Sequence, residues 1–518
     1  MTGSRRRVQV AIPPLIDRLQ NTPLYPTLIS VAFVIEVWRH TSLDAQLLIR
    51  PIGFAIPVAV AVTALGAYVA RNQHIGGVVA GIVALGVLGG DDLRVPGLAG
   101  IALLAVALLV RRAPKFRRPV PWPELTRLAN LIALIMLGTI GFNAFVVSSV
   151  APLHIANSTT SSSSGGGIPQ RPPDILIVLL DAHARQDLLA EFYGEDLSPF
   201  VNSLEARGFD VSARSRSNYM TTQLTLASMF NFTHVPDLEL PAFDDPAFSP
   251  TLRAHLDHNR LFSELRGAGY RIETVSSGFD GLSLRSSDVL LDGGQINELE
   301  VTLLVNTAFK QALNLAAPNL IADQARARVR WNLSPSNWLH DFQSGRGPSS
   351  PVFLFVHVPS PHQPIVFARD GTPNQRTEFT FVDATPFTER TPAQLSGLTR
   401  AYADQLAYID TQAIAAIDQI LLSAASNTVV IVMSDHGPGV HIDWSHLTTT
   451  DTRERFGILF AARTPGSPNL FGAAPTPVNL FPTLLNHYLG LNLPLQSDSS
   501  FLGAPPRHEL IEIGNPDR

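Results

Sequence analysis

The chain has no cysteine among its 518 residues. That excludes a disulfide framework, thiol catalysis and thiolate metal sites, while leaving the compartment open, because an exported protein can simply lack disulfides. A long basic block is also missing and the net charge is −5, so a nucleic-acid partner has no electrostatic footprint. No repeat of fixed period runs through the soluble part. At this length one core rarely organises a whole chain, and at least two units are expected.

What is present is unevenly spread. Residues 22–150 are almost continuously apolar, whereas the remainder disperses charge, proline and aromatics as a globular protein does. Five apolar segments can be drawn, at 22–38, 51–70, 75–90, 95–110 and 128–150, several slightly short of the ~20 residues that span a bilayer. Short spans require helices packed closely through Gly and Ala, as in Gly76–Gly77–Val78–Val79–Ala80–Gly81. A buried helical domain in water is the alternative, but runs with so little polar face would have nothing to cover them.

Arg5, Arg6 and Arg7 precede the first segment, and Arg111, Arg112, Lys115, Arg117 and Arg118 lie between the fourth and fifth. Both regions are thereby placed in the cytoplasm. An odd number of spans then exports everything after residue 150, and the loop with Asp91 and Asp92 falls outside. The expectation is a multi-pass protein of the inner (cytoplasmic) membrane, N-terminus inside, with an extracytoplasmic domain. The first segment continues into further spans and shows no cleavage site, so it does not read as a signal peptide. Glu36, near the end of the first segment, fits an interfacial position better than a proton relay.

Residues 1–150 thus form a transmembrane anchor domain, and 151–172, with Asn157 to Gly167 followed by Pro169, Pro172 and Pro173, read as a flexible linker with a stiffer end. From 173 to 518 strands and helices alternate. Ile175–Leu180, Tyr270–Val275, Pro351–Val358 and Val429–Met433 read as strands, with helices over Leu197–Gly208 and Leu398–Ala424. Such alternation predicts a central, mainly parallel sheet covered by helices, with functional groups at the carboxyl ends of its strands. Asp181, His357 and the pair Asp435–His436 all fall there. Leu290–Trp338 carries an amphipathic helix pattern that suits either a membrane-facing surface or a cover over the site.

Between these strands stands Ser217–Asn218–Tyr219–Met220–Thr221–Thr222–Gln223–Leu224–Thr225–Leu226–Ala227–Ser228. A hydroxyl at a helix start has free N–H groups and the positive dipole end beside it, which would hold a phosphate or sulfate; equally, Thr221 or Thr222 can be an N-cap. An alcohol needs activation to act as a nucleophile, and a divalent cation supplies it. Asp181, Thr222, Asp435 and His436 offer hard oxygen plus one imidazole, a set that suits Zn²⁺ or Mn²⁺, as one ion or two.

The order Asp181, Asn-Tyr-x-x-Thr-x-x-Thr-Leu-Ala-Ser, Ser360–Pro361–His362–Gln363–Pro364 and Ser434–Asp435–His436–Gly437 resembles the alkaline phosphatase and sulfatase superfamily. Within it the chain is most similar to membrane-anchored members: lipoteichoic acid synthases, lipid A phosphoethanolamine transferases and further sulfatase-like membrane proteins. The last group matches best, through Asp181–Ala182–His183–Ala184–Arg185, Ser217–Asn231, the Ser360–Pro364 stretch and Arg455–Phe456–Gly457–Ile458. The resemblance covers roughly 173–500 and implies an alkaline-phosphatase-like α/β domain. It makes Thr222 the catalytic nucleophile, Asp181, Thr222, Asp435 and His436 the metal ligands, and His362 a contact to the transferred group or a second metal. His446 and Arg185 are further substrate-binding candidates, and His357 and His441 lesser ones; each has an ordinary structural explanation as a hydrogen bonder or solvated charge. Asp181 stands where the two transferase families usually carry Glu.

The resemblance also implies an activity. Formylglycine sulfatases mature a Cys or Ser in Cys/Ser-x-Pro-x-Arg, whereas Thr222 precedes Gln-Leu-Thr-Leu and no Cys exists. The expected reaction is metal-dependent transfer of a phospholipid headgroup, of phosphoethanolamine or phosphoglycerol type, to a cell-envelope glycan or lipid acceptor through a phosphothreonine adduct. A membrane-anchored phosphodiesterase or phosphatase is the first alternative, and a non-catalytic scaffold the second.

Overall fold

The computed structural model describes residues 14–39, 43, 45–88, 120–149, 172–245, 247–307, 309–339, 350–374, 391–503 and 509–517. The chain divides into two compact units, Met1–Pro152 with Asn297–Leu320, and Leu153–Ile296 with Ile321–Arg518.

In the first unit, four of the five apolar segments are helices, over Tyr25–Arg39, Ile49–Ala70, Gln73–Leu88 and Trp122–Ser149. The segment at 95–110, the acidic pair 91–92, the basic residues at 5–7 and 111–118, and linker residues 151–171 lie outside the described residues. The expectation of five spans is therefore narrowed. Ala45–Ala70 and Trp122–Phe142, of 26 and 21 residues, are long and apolar enough to cross a membrane. Tyr25–Arg39 and Gln73–Leu88 have 15 and 16 residues, about a turn short of the ~20 that a perpendicular span needs.

The glycine run sits at helix contacts. A Cβ on Gly76 would stand 2.3 Å from the Ala67 backbone nitrogen, so only glycine lets the two backbones approach this closely. Outward from these contacts the helices present apolar side chains, among them Phe54, Leu65, Tyr68, Val69 and Phe142. The part of the chain at Asn297–Leu320 also belongs to this unit, as helices Glu298–Val305 and Phe309–Ala316. A capping box between Asn297 and Glu300 starts the first of these. It packs against Tyr25–Arg39, and Glu300 pairs with Arg50 at 3.0 Å.

The second unit holds a seven-stranded sheet. Its strands are β1 Ile175–Leu180, β2 Asp210–Val211, β3 Arg271–Val275, β4 Val289–Leu291, β5 Val352–Val358, β6 Val429–Met433 and β7 Phe460–Arg463, in the order β2-β7-β6-β1-β5-β3-β4. The five strands from β6 to β4 run parallel; β7 is antiparallel to β6, and β2 is antiparallel to β7. A two-stranded ribbon, β8 Ser500–Leu502 and β9 Ile511–Gly514, lies apart from it.

β1 is an unbroken apolar run because it is buried on both faces. Leu176, Val178 and Leu180 enter one core with Tyr402, Leu406 and Ile409 of the long helix Pro392–Ser423. Ile175, Ile177 and Leu179 enter the other, with Leu224, Ala227 and Phe230 of helix Thr222–Asn231 and Phe481 and Leu484 of helix Pro477–Leu489. The register aligns Leu179 with His357 on β5 and Met433 on β6. The residues just beyond, Asp181, Ser360 to His362, and Asp435–His436, therefore emerge at the same sheet end.

Candidate active site

Four loops supply the site, and each is pinned by its own sequence. After β1 the chain turns at Ala182, whose φ of +62° is left-handed, a conformation that costs of order 1 kcal/mol outside glycine. The turn aims the Ala182 N–H at Asp435 Oδ1 (3.3 Å) and the His183 N–H at Ser434 Oγ (2.8 Å), locking the ends of β1 and β6 together. After β6, Gly437 admits no side chain, since a Cβ there would stand 1.9 Å from the Glu454 carbonyl oxygen. The loop after β5 is tied back by the His362 N–H, which donates to the Asp181 carbonyl (2.9 Å).

The nucleophile candidate opens helix Thr222–Asn231. Its N-cap is Thr221, with extended backbone and no side-chain cap bond, and the first helical bond runs from the Thr225 N–H to the Thr221 carbonyl (3.0 Å). Neither threonine hydroxyl is thus used as a cap. Thr222 Oγ1 instead lies 3.1 Å from His436 Nε2. His436 Nδ1 is 2.9 Å from the Gly437 carbonyl, which can only accept, so in the neutral ring Nδ1 carries the proton and Nε2 turns a lone pair toward the threonine. The same Nε2 is 3.2 Å from Asp435 Oδ2 and 3.7 Å from Asp181 Oδ1.

Both carboxylates are almost wholly buried, and Asp181 Oδ1 and Asp435 Oδ2 have no hydrogen-bond partner. Buried carboxylate oxygens without donors are costly and rare outside functional sites. Burial by itself would raise the Asp181 carboxyl, but the imidazoles of His362, His357 and His436 outweigh it and hold that acid well below its usual range. Two buried carboxyl groups with bare oxygens fit a cation. Donor atoms of Asp181, His362 and His436 lie within 4.8 Å of one another, and His362 Nδ1 faces the Gln363 carbonyl at 2.6 Å. Oxygen and imidazole donors converging from three loops match the chemistry of a divalent-cation site.

Each expected residue has a definite place. Asp181, Thr222, Asp435 and His436 come together, and His362 joins them among the metal-capable donors. His446 and Arg185 do not. The His446 ring is on the surface, 68 % exposed and paired with Asp443 at 3.0 Å. Arg185 is buried in two bidentate pairs, with Asp187 (2.7 and 3.0 Å) and with Asp517 (3.0 and 2.9 Å). His441 bonds Glu454 and Thr399, which makes it a brace between loop and helix.

Two further residues, one of them already marked by its place at a strand end, also touch the site. His357 Nε2 donates to Asp181 Oδ2 at 3.0 Å, while Oδ1 on the same carboxylate has no hydrogen-bond partner. Arg455, buried, bonds the Met220 carbonyl (2.7 Å), the Gly437 and Pro438 carbonyls (2.9 Å each) and His436 Nε2 (3.2 Å). It joins the loop before Thr222 to the loop after Asp435. Its signal was the Arg455–Phe456–Gly457–Ile458 stretch, but a role required knowing that β7 returns antiparallel beside β6.

The parallel sheet with a metal-capable cluster and a helix-borne hydroxyl at its carboxyl end defines an alkaline-phosphatase-like α/β domain of the alkaline phosphatase and sulfatase superfamily. Residues 173–490 match the sulfatase family, and the chain belongs to it. No curated protein sequence matches the chain. Among solved structures it is similar to the C-terminal periplasmic domain of EcEptC from Escherichia coli, at 15 % identity and a TM-score of 0.42 over 68 % of this chain and 94 % of that one. The soluble domain of lipooligosaccharide phosphoethanolamine transferase A from Neisseria meningitidis is 14 % identical, with a TM-score of 0.33 over 57 % of this chain and 77 % of that one. The lipoteichoic acid synthase LtaP from Listeria monocytogenes is 15 % identical, with a TM-score of 0.37 over 63 % and 74 % respectively.

Proposed function

We propose that this protein is a membrane-anchored, metal-dependent enzyme that moves a phosphoryl-type group from a phospholipid headgroup, of phosphoethanolamine or phosphoglycerol type, to a cell-envelope glycan or lipid acceptor. The observation that carries the reading is the Thr222 hydroxyl 3.1 Å from His436 Nε2, at the head of a helix and beside two buried carboxylates with bare oxygens. Asp181, Thr222, Asp435 and His436 would hold the cation, with His362 adjoining. When bound, a divalent cation offsets charge on the transferred group and lowers the proton affinity of a coordinated hydroxyl.

The chain's own groups account for the rest. Because Thr222 occupies the first helical position, the N–H groups of the first turn, ahead of the ladder that begins at Thr225, face the incoming phosphoryl oxygens with the positive end of the helix dipole. The Thr222 oxygen attacks phosphorus, the bond to the lipid alcohol breaks, and the alcohol leaves with a proton. The acceptor hydroxyl then attacks the phosphothreonine and regenerates Thr222. Arg455 keeps the Thr222 and Asp435–His436 loops at reacting distance, and its charge lies beside the developing negative charge.

Phosphate is preferred to sulfate as the ester because position 222 is threonine and no cysteine exists from which a formylglycine could be made. The lipid donor follows from location. Apolar helices with outward Leu65, Tyr68 and Phe142 support membrane embedding, and outside the cytoplasm phospholipid headgroups are an abundant source of activated phosphodiester.

The test is to incubate the purified full chain with Zn²⁺ or Mn²⁺ and headgroup-labelled phospholipid, then map the label by proteolysis. Label on Thr222, with diacylglycerol accumulating only when an acceptor is supplied, is the expected result. Diacylglycerol without acceptor would make the enzyme a phosphodiesterase. A metal-replete protein with neither adduct nor turnover would leave a scaffold.

A further inference from the structure

The stretch Asn297–Leu320 lies in the middle of the exported sequence yet belongs to the apolar helical unit. It begins and ends in chain that the membrane reading places outside, so its partners must also be on the outer side. Its Glu300 pairs with Arg50, which opens helix Ile49–Ala70. The Ile49 end of that helix is then external, as expected if the preceding apolar segment runs outward from the basic N-terminus.

The stretch is sparsely charged, with Glu298, Glu300 and Lys310 its only ionised residues. Leu299 and Val301 are buried, which leaves the exposed Leu315 to explain. Leu315 on helix Phe309–Ala316 is 89 % exposed, more than Tyr68 at 83 % and Leu65 at 64 % on the spanning helix Ile49–Ala70. Each of the two helices has eight residues, about 12 Å at 1.5 Å per residue. Neither can cross a bilayer, but both fit within its interface. A lone exposed leucine on a water-facing surface is ordinary. Here Leu315 stands among exposed Lys310, Asn314 and Asn319, the mixed polar and apolar surface that a segment at a lipid–water boundary presents.

We propose that Asn297–Leu320 is an interfacial helical hairpin that lies in the outer leaflet with Leu315 inserted among acyl chains. This rests on the membrane reading above and extends it to a part of the exported sequence. The consequence is local: besides the linker after Pro152, the exported chain is fastened at the lipid surface where Ile296 leaves it and where Ile321 resumes. A phospholipid donor is then met at high effective concentration.

The absence of cysteine makes the test direct. Leu315→Cys, Leu65→Cys and Leu422→Cys are each labelled with a nitroxide in the full chain. The labelled proteins are reconstituted in vesicles of phosphatidylethanolamine and phosphatidylglycerol. Collision rates are then compared for oxygen, which concentrates in lipid, and for a nickel chelate, which stays in water. Leu422, 87 % exposed at the end of helix Pro392–Ser423, is the aqueous reference, and Leu65 the lipid reference. The oxygen-to-nickel ratio at 315 should approach that at 65 and exceed that at 422 severalfold. A ratio at 315 equal to that at 422, or suppression of both collisions by protein packing, overturns the hairpin while leaving the membrane reading intact. A water-like ratio at 65 itself overturns both.

Discussion

Two buried charged centres follow β1 within five residues, and they are opposites. Around Arg185 the guanidinium is enclosed by bidentate pairs to Asp187 and Asp517. Around Asp181 the charge is held by neighbouring imidazoles, and Oδ1, like Asp435 Oδ2, has no donor. Arg185 and Asp181 themselves are both nearly inaccessible to water. What separates them is satisfaction. A buried charge with its hydrogen bonds complete is architecture, whereas one with a bare oxygen beside a hydroxyl is a candidate for chemistry.

The comparison can be broken at either centre. The largest expected effect is Thr222→Ala, which should lower phospholipid turnover by about 10³-fold or more and remove the labelled adduct, as loss of a nucleophile does; turnover near wild type would return Thr222 to a helix-start residue. Next come Asp181→Asn and Asp435→Asn. In metal-free protein Asp435→Asn should not lower the melting temperature, because it removes an imperfectly solvated charge, whereas Asp181→Asn should lower it, because the neighbouring imidazoles favour that charge in the folded molecule. Wild type should gain about 2.7 kcal/mol with cation at 100 times its Kd, and both variants should lose that gain in a thermal melt with Zn²⁺ or Mn²⁺.

Arg185→Met attacks the satisfied centre. It should cost about 3 kcal/mol in chemical denaturation, because the Asp517 carboxylate stays behind in a buried place. Cation affinity of the folded molecule should not change, and a parallel loss of cation affinity would mean that the two centres are one. His357→Leu is smaller and opposite in kind. Losing the donor that orients Asp181 should weaken cation binding by about 10- to 100-fold; His357→Gln, which keeps a donor, should recover part of it in a chelator competition. The smallest effect is expected for Asp187→Asn, whose carboxylate is 48 % exposed, within about 1 kcal/mol in the same denaturation assay.

Much of the fold was legible because burial on two faces writes a plain signal. Ile175–Leu180 and Val429–Met433 were read to the residue, and Val352–Val358 within one. Helix Pro392–Ser423 begins earlier than the apolar pattern suggested because Thr391 and Gln394 form a capping box ahead of it. The antiparallel return of β7, the two-residue β2 and the β8–β9 ribbon went unread, since short edge elements carry too few residues for a period to emerge. At the site, Asp181, Thr222, Asp435 and His436 stood out by residue type and position. Arg185 and His446 stood out for the same reason and point elsewhere, because sequence shows that a charge exists and not whether a neighbour already neutralises it.

The sequence by itself determined the apolar first third, the alternation that makes a parallel sheet, and the residues that stand where strands end. These depend on neighbours along the chain, through period and composition. Only the tertiary structure decided that residues 181 and 222 meet the imidazole nitrogen of residue 436, across as many as 255 positions, with residue 362 beside them. It also decided that His357 orients the carboxylate and that Asn297–Leu320 joins the apolar unit. Those choices come from strand register and from hydrogen bonds between distant loops, which no local pattern encodes.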